Sequence, residues 1–177
     1  MKKLLSIIIP MYNSYEFIEK CLNSLIMGKK EMLSLEVVVV NDGSTDGCEK
    51  LVVPYIEKYP ETIRMVEQPN GGHGAAINHG VNECQGKYFK ILDADDWIST
   101  NTLKNLLLKI NNKVSADVLL NSFQTYNIST GENIEYWTGK PRLMTMHSVL
   151  KEWNQYKWIF SLHGIIYRTE FYRKLNK

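Results

Sequence analysis

Short runs rich in β-branched residues alternate with longer segments of helical periodicity over residues 4–123, and this alternation leaves few folds open to the chain. The runs with the length and composition of buried strands cover residues 4–9, 35–40, 63–67, 88–92 and 117–123. The segments that place apolar residues at helical spacing between them cover 15–26, 45–59, 75–83 and 100–110. Strands separated by helices pair in parallel and are covered by those helices. We therefore predict an α/β fold with a mostly parallel central sheet.

Local signals predict where some of these elements begin or end. Pro10 is expected to end the first strand, because proline lacks the N–H that a strand ladder uses. Ser14 is expected to cap the first helix, and Thr45 or Asp46 the second, since short oxygen-bearing side chains accept the free N–H groups of a first turn. Pro54 is expected to disturb that second helix.

The alternation loosens after Phe123. The patterns there are typical of a hairpin around Gly131, a helix, a strand and a final helix, at residues 124–137, 147–153, 163–167 and 169–175. We expect the sheet to be largely complete at Phe123. Residues 1–123 would then form a ligand-binding region, and 124–177 the start of a second region.

Charge is distributed unevenly along the chain. The 177 residues have a net charge of +2, but residues 1–139 carry −4 and residues 140–177 carry +6. The small overall charge argues against a general nucleic-acid-binding protein, which usually has a strong basic excess. The basic segment from Lys140 is rich in aromatic residues and allows two interpretations. In the first, it faces an anionic or lipid-linked partner or a membrane surface. In the second, its aromatic side chains are buried and its charges are exposed to water. The second interpretation is favoured.

The apolar runs do not predict a membrane span. The longest, at residues 6–11 and 37–40, are far shorter than the roughly 20 residues that a bilayer requires. The N-terminal residues resemble a signal peptide only weakly, because Tyr12 and Asn13 stand where small residues would precede a cleavage site. We interpret this segment as the first strand.

Cysteine and histidine spacing predicts neither disulfides nor a structural zinc site. Cys21, Cys48 and Cys84 are odd in number and lack CxxC spacing, which indicates free thiols in a reducing compartment, the cytoplasm. The four histidines have no metal-ligand spacing with one another or with cysteine.

Polar residues follow each of the first four predicted strands. These sets are Pro10-Met11-Tyr12-Asn13, Asn41-Asp42-Gly43-Ser44, Asn70-Gly71-Gly72-His73-Gly74 and Asp93-Ala94-Asp95-Asp96. In an open α/β sheet, ligands bind at the carboxyl ends of the strands beside a topological switch point. The sequence therefore predicts a binding site at this edge of the sheet.

The three carboxylates of Asp93, Asp95 and Asp96 are the most informative of these sets. Like charges this close repel one another, and a divalent cation with oxygen ligands offsets the repulsion. Asp93 and Asp95, two residues apart, can share a metal bound to a nucleotide. The alternative is a solvated acidic turn with Asp96 as a helix cap.

The other loops allow two interpretations each. Asp42 could accept hydrogen bonds from a nucleobase or ribose, or simply form a turn. Tyr12 could stack on a base or pack locally. The glycine loop could let N–H groups approach an anion ahead of a helix, or be a plain loop. His73 and His79 are better explained as surface or hydrogen-bonded residues than as metal ligands.

Familiar motifs are missing from the loops. The loop after the first strand contains no glycine, which excludes a dinucleotide-binding fingerprint. The chain contains no GxxxxGK[ST] phosphate loop and no GxSxG nucleophile elbow.

Four segments in order resemble the family 2 glycosyltransferases: SIIIPMYN (6–13), VVVVNDGSTDG (37–47), QPNGGHGAAINHG (68–80) and KILDADDW (90–97). A weaker similarity extends to HGIIYRTEF (163–171). The resemblance implies the GT-A fold, a Rossmann-like three-layer α/β/α sandwich. It also implies transfer of a sugar, usually with inversion, from a nucleotide sugar to an acceptor hydroxyl. The donor would be a UDP-sugar, with thymine and guanine nucleotides as the alternatives, and the product a bacterial cell-surface polysaccharide or glycolipid.

The resemblance also implies roles for individual residues. Tyr12 and Pro10 would line the base, and Asp42 would hydrogen-bond it. The Asp93-Ala94-Asp95 segment matches the DxD motif, in which Asp93 lies near the ribose and Asp95 binds Mn²⁺ or Mg²⁺. The remaining donor-binding residues by this resemblance are Asn13, Gly72, His73, Gly74, Asn78, Ala94 and Asp96.

The catalytic base that the family uses has no match in this sequence. The base lies in an acidic motif a little beyond the segment that resembles residues 163–171, and neither Glu152 nor Glu170 matches it. We therefore expect this chain to be the donor-binding portion of a longer enzyme. The acceptor is expected to be a saccharide or a lipid-linked molecule at the inner face of the membrane. Oligomers of the chain are also possible.

Two other classes compete with this interpretation. A sugar nucleotidyltransferase needs a glycine-rich basic signature after the first strand, which is absent. A nucleotide-binding module without transfer activity stays open.

Overall fold

The computed structural model describes residues 2–111, 115–136 and 161–175. Within these residues the strands are β1 (Leu5–Met11), β2 (Leu35–Asn41), β3 (Ile63–Glu67), β4 (Tyr88–Ile91), β5 (Val118–Leu120), β6 (Phe123–Tyr126), β7 (Asn133–Tyr136) and β8 (Ile165–Arg168). The α-helices are α1 (Ile18–Ser24), α2 (Lys29–Ser34), α3 (Cys48–Lys58), α4 (His73–Glu83), α5 (Thr100–Asn111) and α6 (Thr169–Leu175). A short 3₁₀ helix, Leu162–Gly164, precedes β8.

Six of the strands form one sheet in the order β3-β2-β1-β4-β8-β5. The pairings among β1, β2, β3 and β4 are all parallel. The chain moves outward from β1 through β2 to β3 and then returns to the other side of β1 as β4. This reversal places a topological switch point between β1 and β4, where the crevice of such a sheet opens.

The central strands are buried along their whole length. All seven residues of β1 and all seven of β2 are buried. A strand covered on both faces needs apolar side chains at successive positions, which explains the four consecutive valines of β2.

Helices cover both faces of the sheet. On one face Ile7, Ile9 and their neighbours pack against α1, α3 and α5. On the other face Ile8, Val38 and Val40 pack against α4. The predicted mostly parallel α/β sandwich is confirmed.

Gly80 allows α4 to lie close to the sheet. A Cβ atom at this position would lie 2.3 Å from Cγ2 of Ile8 and 3.1 Å from Cγ2 of Val40. Both neighbours are fully buried β-branched side chains, so they have little freedom to move aside. The glycine therefore sets the distance between this helix and β1.

Two expectations about local boundaries were wrong, and one helix was not predicted. Pro10 lies inside β1, which continues to Met11, since its extended backbone fits a strand end. Helix α1 begins at Ile18, and the Ser14 side chain donates to the carbonyl of Tyr12 rather than capping the helix. The short helix α2 was not predicted, because its mostly polar residues bury only Met32.

The start of α3, which corresponds to the second predicted helix, agrees with the expectation only in part. Gly47, with φ of 85°, occupies the cap position, while the Asp46 carboxylate accepts the N–H of Cys48 at 3.0 Å. Pro54 lies within the helix, which continues to Lys58.

The sheet is not finished at Phe123, contrary to expectation. β8 lies between β4 and β5 and is antiparallel to both. β5 ends at Leu120, and Phe123 belongs instead to β6, which pairs with β7 as the predicted hairpin. A strand from the C-terminal part of the chain is therefore an interior strand of the central sheet, because strand order depends on pairing across the fold rather than on chain order.

The helix expected at 147–153 and most of the basic segment lie outside the described residues. Across the ranges that the structure does describe, no helix combines the length and apolar character needed to span a bilayer.

Candidate functional site

A cleft of about 610 Å³ opens at the carboxyl ends of β1 and β4, at the switch point of the sheet. The residues that line it are Pro10, Met11, Tyr12, Asn13, Ser14, Phe17, Asp42, Asn70, Gly72, His73, Ala76, Asp93, Ala94 and Asp95. All four of the polar sets predicted to follow the strands therefore contribute to one cavity.

Asp42 is the buried carboxylate of this cleft, with 3% of its surface exposed. Its Oδ1 accepts hydrogen bonds from Gln68 Nε2 at 2.7 Å and from the N–H of Gly71 at 2.8 Å, and its Oδ2 accepts the N–H of Gly72 at 2.9 Å. Burial by itself would raise the pKa of Asp42, but these hydrogen bonds outweigh it and lower the pKa. An ionised Asp42 thus holds the glycine loop in place.

The loop after β1 is cross-linked to the loop after β2. Asn13 has a positive φ of 48°, and its Oδ1 accepts the N–H of Thr45 at 2.9 Å. Its own N–H donates to Ser44 Oγ at 3.2 Å. These contacts leave the neighbouring Tyr12 ring 50% exposed at the cleft wall, where a flat ligand group can lie against it.

The acidic residues after β4 are paired with histidines from two distant segments. His73 Nε2, at the start of α4, lies 2.8 Å from Asp93 Oδ1. His163 Nδ1 lies 3.1 Å from Asp96 Oδ2. The hydrogen bond to Asp96 raises the pKa of His163, against the opposing effect of partial burial.

Lys90 lies beneath these carboxylates. It is 6% exposed, and its ammonium group donates to the carbonyl of His163 at 2.5 Å. Burial lowers the pKa of Lys90 to about 8, opposed by the charges of Asp96 and Asp93. The lysine partly offsets the repulsion of the acidic residues above it.

Oxygen and nitrogen atoms suited to a divalent cation converge at this point. Ligand atoms of Asp93, Asp96 and His163 lie within 4.8 Å of one another. Asp95 is not in that group, although it lines the cleft together with Asp93. Asp93, Asp96 and His163 therefore offer two carboxylates and one imidazole as candidate metal ligands. The carboxylate oxygens suit hard cations such as Mg²⁺ and Mn²⁺.

Some residues predicted for the site lie outside the cleft lining. Gly74 and Asn78 are exposed on α4, and Asp96 is in contact with His163. His79 lies behind the cleft, with Nδ1 2.8 Å from Oε1 of Gln68. His79 therefore supports Asp42 indirectly, through Gln68.

Sequence reasoning missed Lys90 and His163. A lysine inside an otherwise apolar strand was the available signal for the first of them. No local pattern connects His163 with Asp96, because they become neighbours only when β8 enters the sheet.

The three cysteines are free and buried. Cys21 lies against the acidic turn, and its Sγ is 3.7 Å from the carbonyl of Asp93. Burial, with the nearby charges of Asp96, Asp95 and Asp93, raises the pKa of the Cys21 thiol to about 12. This thiol is therefore unreactive at neutral pH.

The chain is similar to known bacterial glycosyltransferases. Glycosyltransferase GlyA of Streptococcus pneumoniae is 35% identical over 127 residues, which cover 72% of this chain and 18% of that protein. The uncharacterized glycosyltransferase EpsJ of Bacillus subtilis is 28% identical over 179 residues, which cover 99% of this chain and 51% of that protein.

Solved structures share the fold. The structure of S. aureus TarS 1–349 in complex with UDP-GlcNAc has a TM-score of 0.71 and 28% identity, covering 98% of this chain and 47% of that one. The mannosyltransferase PcManGT of Pyrobaculum calidifontis, in complex with GDP-Man and Mn²⁺, has a TM-score of 0.68. At 21% identity, over 99% of this chain and 47% of that one, the latter similarity supports the fold alone.

The chain spans about half or less of the length of these relatives. Within that span the model of the family described as Glycosyl transferase family 2 matches residues 6–175. The match takes in all four loops of the cleft as well as β8 and α6, and so the chain belongs to glycosyl transferase family 2.

Proposed function

We propose that this chain binds the donor of an inverting glycosyltransferase, which moves a sugar from a UDP-sugar to an acceptor hydroxyl. The observation that carries the proposal is the layout of the cleft. An exposed aromatic ring and a buried carboxylate, Tyr12 and Asp42, lie at one part of its wall, and the carboxylates of Asp93 and Asp95 at another. The UDP-GlcNAc complex of TarS, at 28% identity, supports a uridine nucleotide.

The base-binding step depends on Asp42. A carboxylate has about four lone-pair positions, and the hydrogen bonds from Gln68, Gly71 and Gly72 occupy three of them. The remaining position can accept the imide N–H of uracil while the ring lies against Tyr12. Asp42 then binds the ligand and shapes the loop at the same time. Pro10, Asn13, Gly72 and Ala94, which also line the cleft, complete the proposed nucleotide contacts.

The diphosphate requires positive charge, and the cleft lining contributed by the described part of the chain contains no lysine or arginine. We propose that Asp95 and Asp93 hold Mn²⁺ or Mg²⁺, with Asp96 facing the donor sugar. When bound, the cation would neutralise the negative charge that develops on the leaving nucleotide diphosphate. His73, 2.8 Å from Asp93, orients that carboxylate. Gly74 and Asn78 belong to the proposed sugar-binding region at the start of α4.

Calorimetric titration of UDP into the chain, with and without Mn²⁺, tests the donor site. We expect metal-dependent binding that Asp95→Asn weakens by at least about tenfold, since one charge-assisted ligand is lost. Glu57→Gln is the matched control, because this exposed carboxylate lies on α3 outside the cleft lining. Binding that ignores Mn²⁺, or that survives Asp95→Asn unchanged, contradicts the metal assignment.

We assign no residue of this chain as the catalytic base. The acidic residues of the cleft lining are Asp42, Asp93 and Asp95, each already committed to the donor. Glu170 lies on α6, whose Arg173 and Tyr172 pack against α4 and β4 on a face of the sheet. Glu152 lies outside the described residues. A transfer assay on this chain should therefore show no appreciable turnover under conditions in which calorimetry detects UDP binding.

The cellular setting follows from the same proposal. The product would be a cell-surface polysaccharide or glycolipid, built on a saccharide or lipid-linked acceptor. Three free buried thiols support a cytoplasmic location, at the inner face of the membrane if the acceptor is lipid-linked. A vesicle flotation assay with anionic lipid tests the membrane contact, which fails if the chain stays in the soluble fraction.

A further inference from the structure

Two large aromatic side chains meet on the surface beside the acidic turn. Trp97, which directly follows Asp96, is 42% exposed, and Tyr126 of β6 is 51% exposed. Their ring centroids are 6.4 Å apart, and the rings are inclined by 71°. The ammonium group of Lys20 lies 3.3 Å from the centroid of the Trp97 ring. Aromatic rings held in fixed contact at an exposed position are more typical of a binding surface than of a core.

The hairpin that carries Tyr126 presents polar side chains on the same face. Opposite residues of an antiparallel pair share a face, and Tyr126 pairs with Asn133 while Gln124 pairs with Glu135. All of these side chains are exposed, and Asn133 Nδ2 donates to Gln124 Oε1 at 3.2 Å. The face therefore combines an aromatic ring with amide and carboxylate groups.

The opposite face of the hairpin is attached to the rest of the molecule. Phe123 and Tyr136 stack there with centroids 4.7 Å apart, and the centroid of the Phe123 ring lies 5.7 Å from that of His163. The first face thus remains accessible, while the hairpin is held next to the acidic turn by its second face and by the contact of Tyr126 with Trp97.

We propose that this surface, formed by Trp97, Tyr126, Gln124, Asn133 and Glu135 and called here the Trp97 platform, binds a neutral pyranose ring of the acceptor. The inference rests on the proposed function, because it names the second substrate of the same site. The C–H face of a pyranose is apolar and packs against an aromatic ring, while its hydroxyl groups donate to and accept from amides and carboxylates.

The platform continues from the donor cleft. Asp95 lines the cleft, two residues before Trp97. On the other side, Phe17 lines the cleft and precedes by one helical turn the Lys20 that covers the Trp97 ring. A saccharide lying on the platform would therefore extend one end into the cleft, where a hydroxyl group can meet the donor sugar.

The charge around the platform selects between kinds of acceptor. In the described part of the chain, the neighbouring acidic residues are Asp95, Asp96 and Glu135. The nearby basic groups are the Lys20 ammonium, which lies over the Trp97 ring, and the His163 imidazole, which is paired with Asp96, so the three carboxylates outnumber them. Such a surface repels phosphate-rich polymers and anionic lipid headgroups and accepts an uncharged sugar.

Saturation-transfer NMR on the full chain, with UDP and Mn²⁺ present, tests the platform. The probes are methyl glucopyranoside, methyl galactopyranoside and N-acetylglucosamine, with glycerol phosphate as the anionic probe. We expect binding of at least one neutral pyranose, weakened about tenfold by Trp97→Ala and by Tyr126→Ala. Ile134→Ala is the matched control, because Ile134 is 48% exposed and lies on the opposite face of the same hairpin. All three variants should retain the UDP affinity of the unchanged chain.

A second variant covers the case in which an alanine variant fails to fold. Glu135→Lys changes an exposed strand position and should shift selectivity toward glycerol phosphate by about threefold, since one charge is reversed at an exposed site. Unchanged selectivity contradicts the platform.

The remaining outcomes separate this inference from the proposed function. If the chain does not bind UDP, the proposed function fails and the platform with it. If UDP binds but no neutral pyranose does, or if Trp97→Ala and Tyr126→Ala bind it as well as the unchanged chain, the platform alone is refuted. Loss of binding to phosphatidylglycerol vesicles in these variants, without loss of pyranose binding, assigns the patch to a membrane and also refutes it.

Discussion

Strand β2 has a buried carboxylate at each end, and the two lie in different surroundings. Glu36, near the amino end, is 4% exposed, and Asp42, just past the carboxyl end, is 3% exposed. Each accepts three hydrogen bonds: Glu36 from Ser6 Oγ, Gln85 N–H and Arg64 Nε, and Asp42 from Gln68 Nε2 and the N–H groups of Gly71 and Gly72. Burial and hydrogen bonding therefore do not distinguish a structural carboxylate from one in a binding site.

Position in the sheet distinguishes them. The partners of Glu36 belong to β1, β3 and the turn after α4, so they join elements of the scaffold. The partners of Asp42 belong to the glycine loop, which opens into the cleft. Loops at the carboxyl ends of parallel strands surround the crevice at the switch point, whereas the amino ends are closed by turns.

Helix α4 connects the two ends. At its start the N–H of the cap residue Gly72 donates to Asp42 Oδ2 at 2.9 Å, and at its end Glu83 contacts Arg64, which also contacts Glu36. A displacement of this helix should therefore affect both carboxylates together.

The largest expected effect comes from Gly80→Ala. This substitution should disturb the surroundings of both Glu36 and Asp42, because α4 contacts the residues at both ends of β2. The new methyl group would overlap Cγ2 of Ile8, so α4 must shift away from β1. Overpacking of this kind destabilises by about 2 to 3 kcal/mol, more than the ~1 kcal/mol that alanine gains over glycine in a helix. Urea denaturation should show the loss, and titration should show weaker UDP binding.

Gly74→Ala is the control for that substitution. Gly74 lies in the same helix, and a Cβ atom there would have no neighbour within 4 Å. This variant should be as stable as the unchanged chain or slightly more stable. Equal destabilisation by both substitutions would show that helix packing against Ile8 is not the cause.

Glu36→Gln should reduce stability and leave UDP binding intact. The amide keeps the shape of the side chain, but its own N–H groups would face the donors that Glu36 accepts. Buried donors would then lack acceptors, which should lower the free energy of unfolding by about 2 kcal/mol. Urea denaturation measures this loss, with the exposed Glu57→Gln as the matched control. A marked fall in UDP affinity in Glu36→Gln would contradict the view that only the Asp42 end of β2 takes part in nucleotide binding.

Asp42→Asn should differ from Glu36→Gln in its effect on the ligand, with at least about tenfold weaker UDP binding in addition to a loss of stability. The amide has the same size but lacks the negative charge. It should therefore accept the N–H groups of the loop and of the base less strongly. Hydrogen exchange at the Gly71 and Gly72 amides should become faster. Unchanged UDP affinity would remove Asp42 from the proposed site.

The contribution of Asp42 to stability should also depend on pH. Its pKa in the folded chain lies below the ordinary value of 3.8, so the stabilisation is complete above that value. It is lost as the pH falls from about 3.8 through the folded pKa, because the unfolded chain takes up the proton first. The difference in unfolding free energy between the unchanged chain and Asp42→Asn should shrink in that range.

Much of the fold was predictable because its signals are local. The valine run of β2 and the helical spacing of α5 led to elements that the structure contains, and α6 was predicted with the bounds that it has. The loops predicted for the site follow directly from the strand ends. Short polar elements such as α2 were not predictable, since they bury too little apolar surface to leave a pattern.

The sequence by itself determined the strands, the helices that cover them and the polar loops that meet at one edge, because these depend on hydrophobic periodicity and on the direction of parallel strands. Only the tertiary structure decided that β8 lies between β4 and β5, that His163 reaches Asp96, and that Glu36 and Asp42 have different partners. Those contacts join residues far apart in the chain. They form through the packing of the whole sheet, which no local pattern of residues encodes.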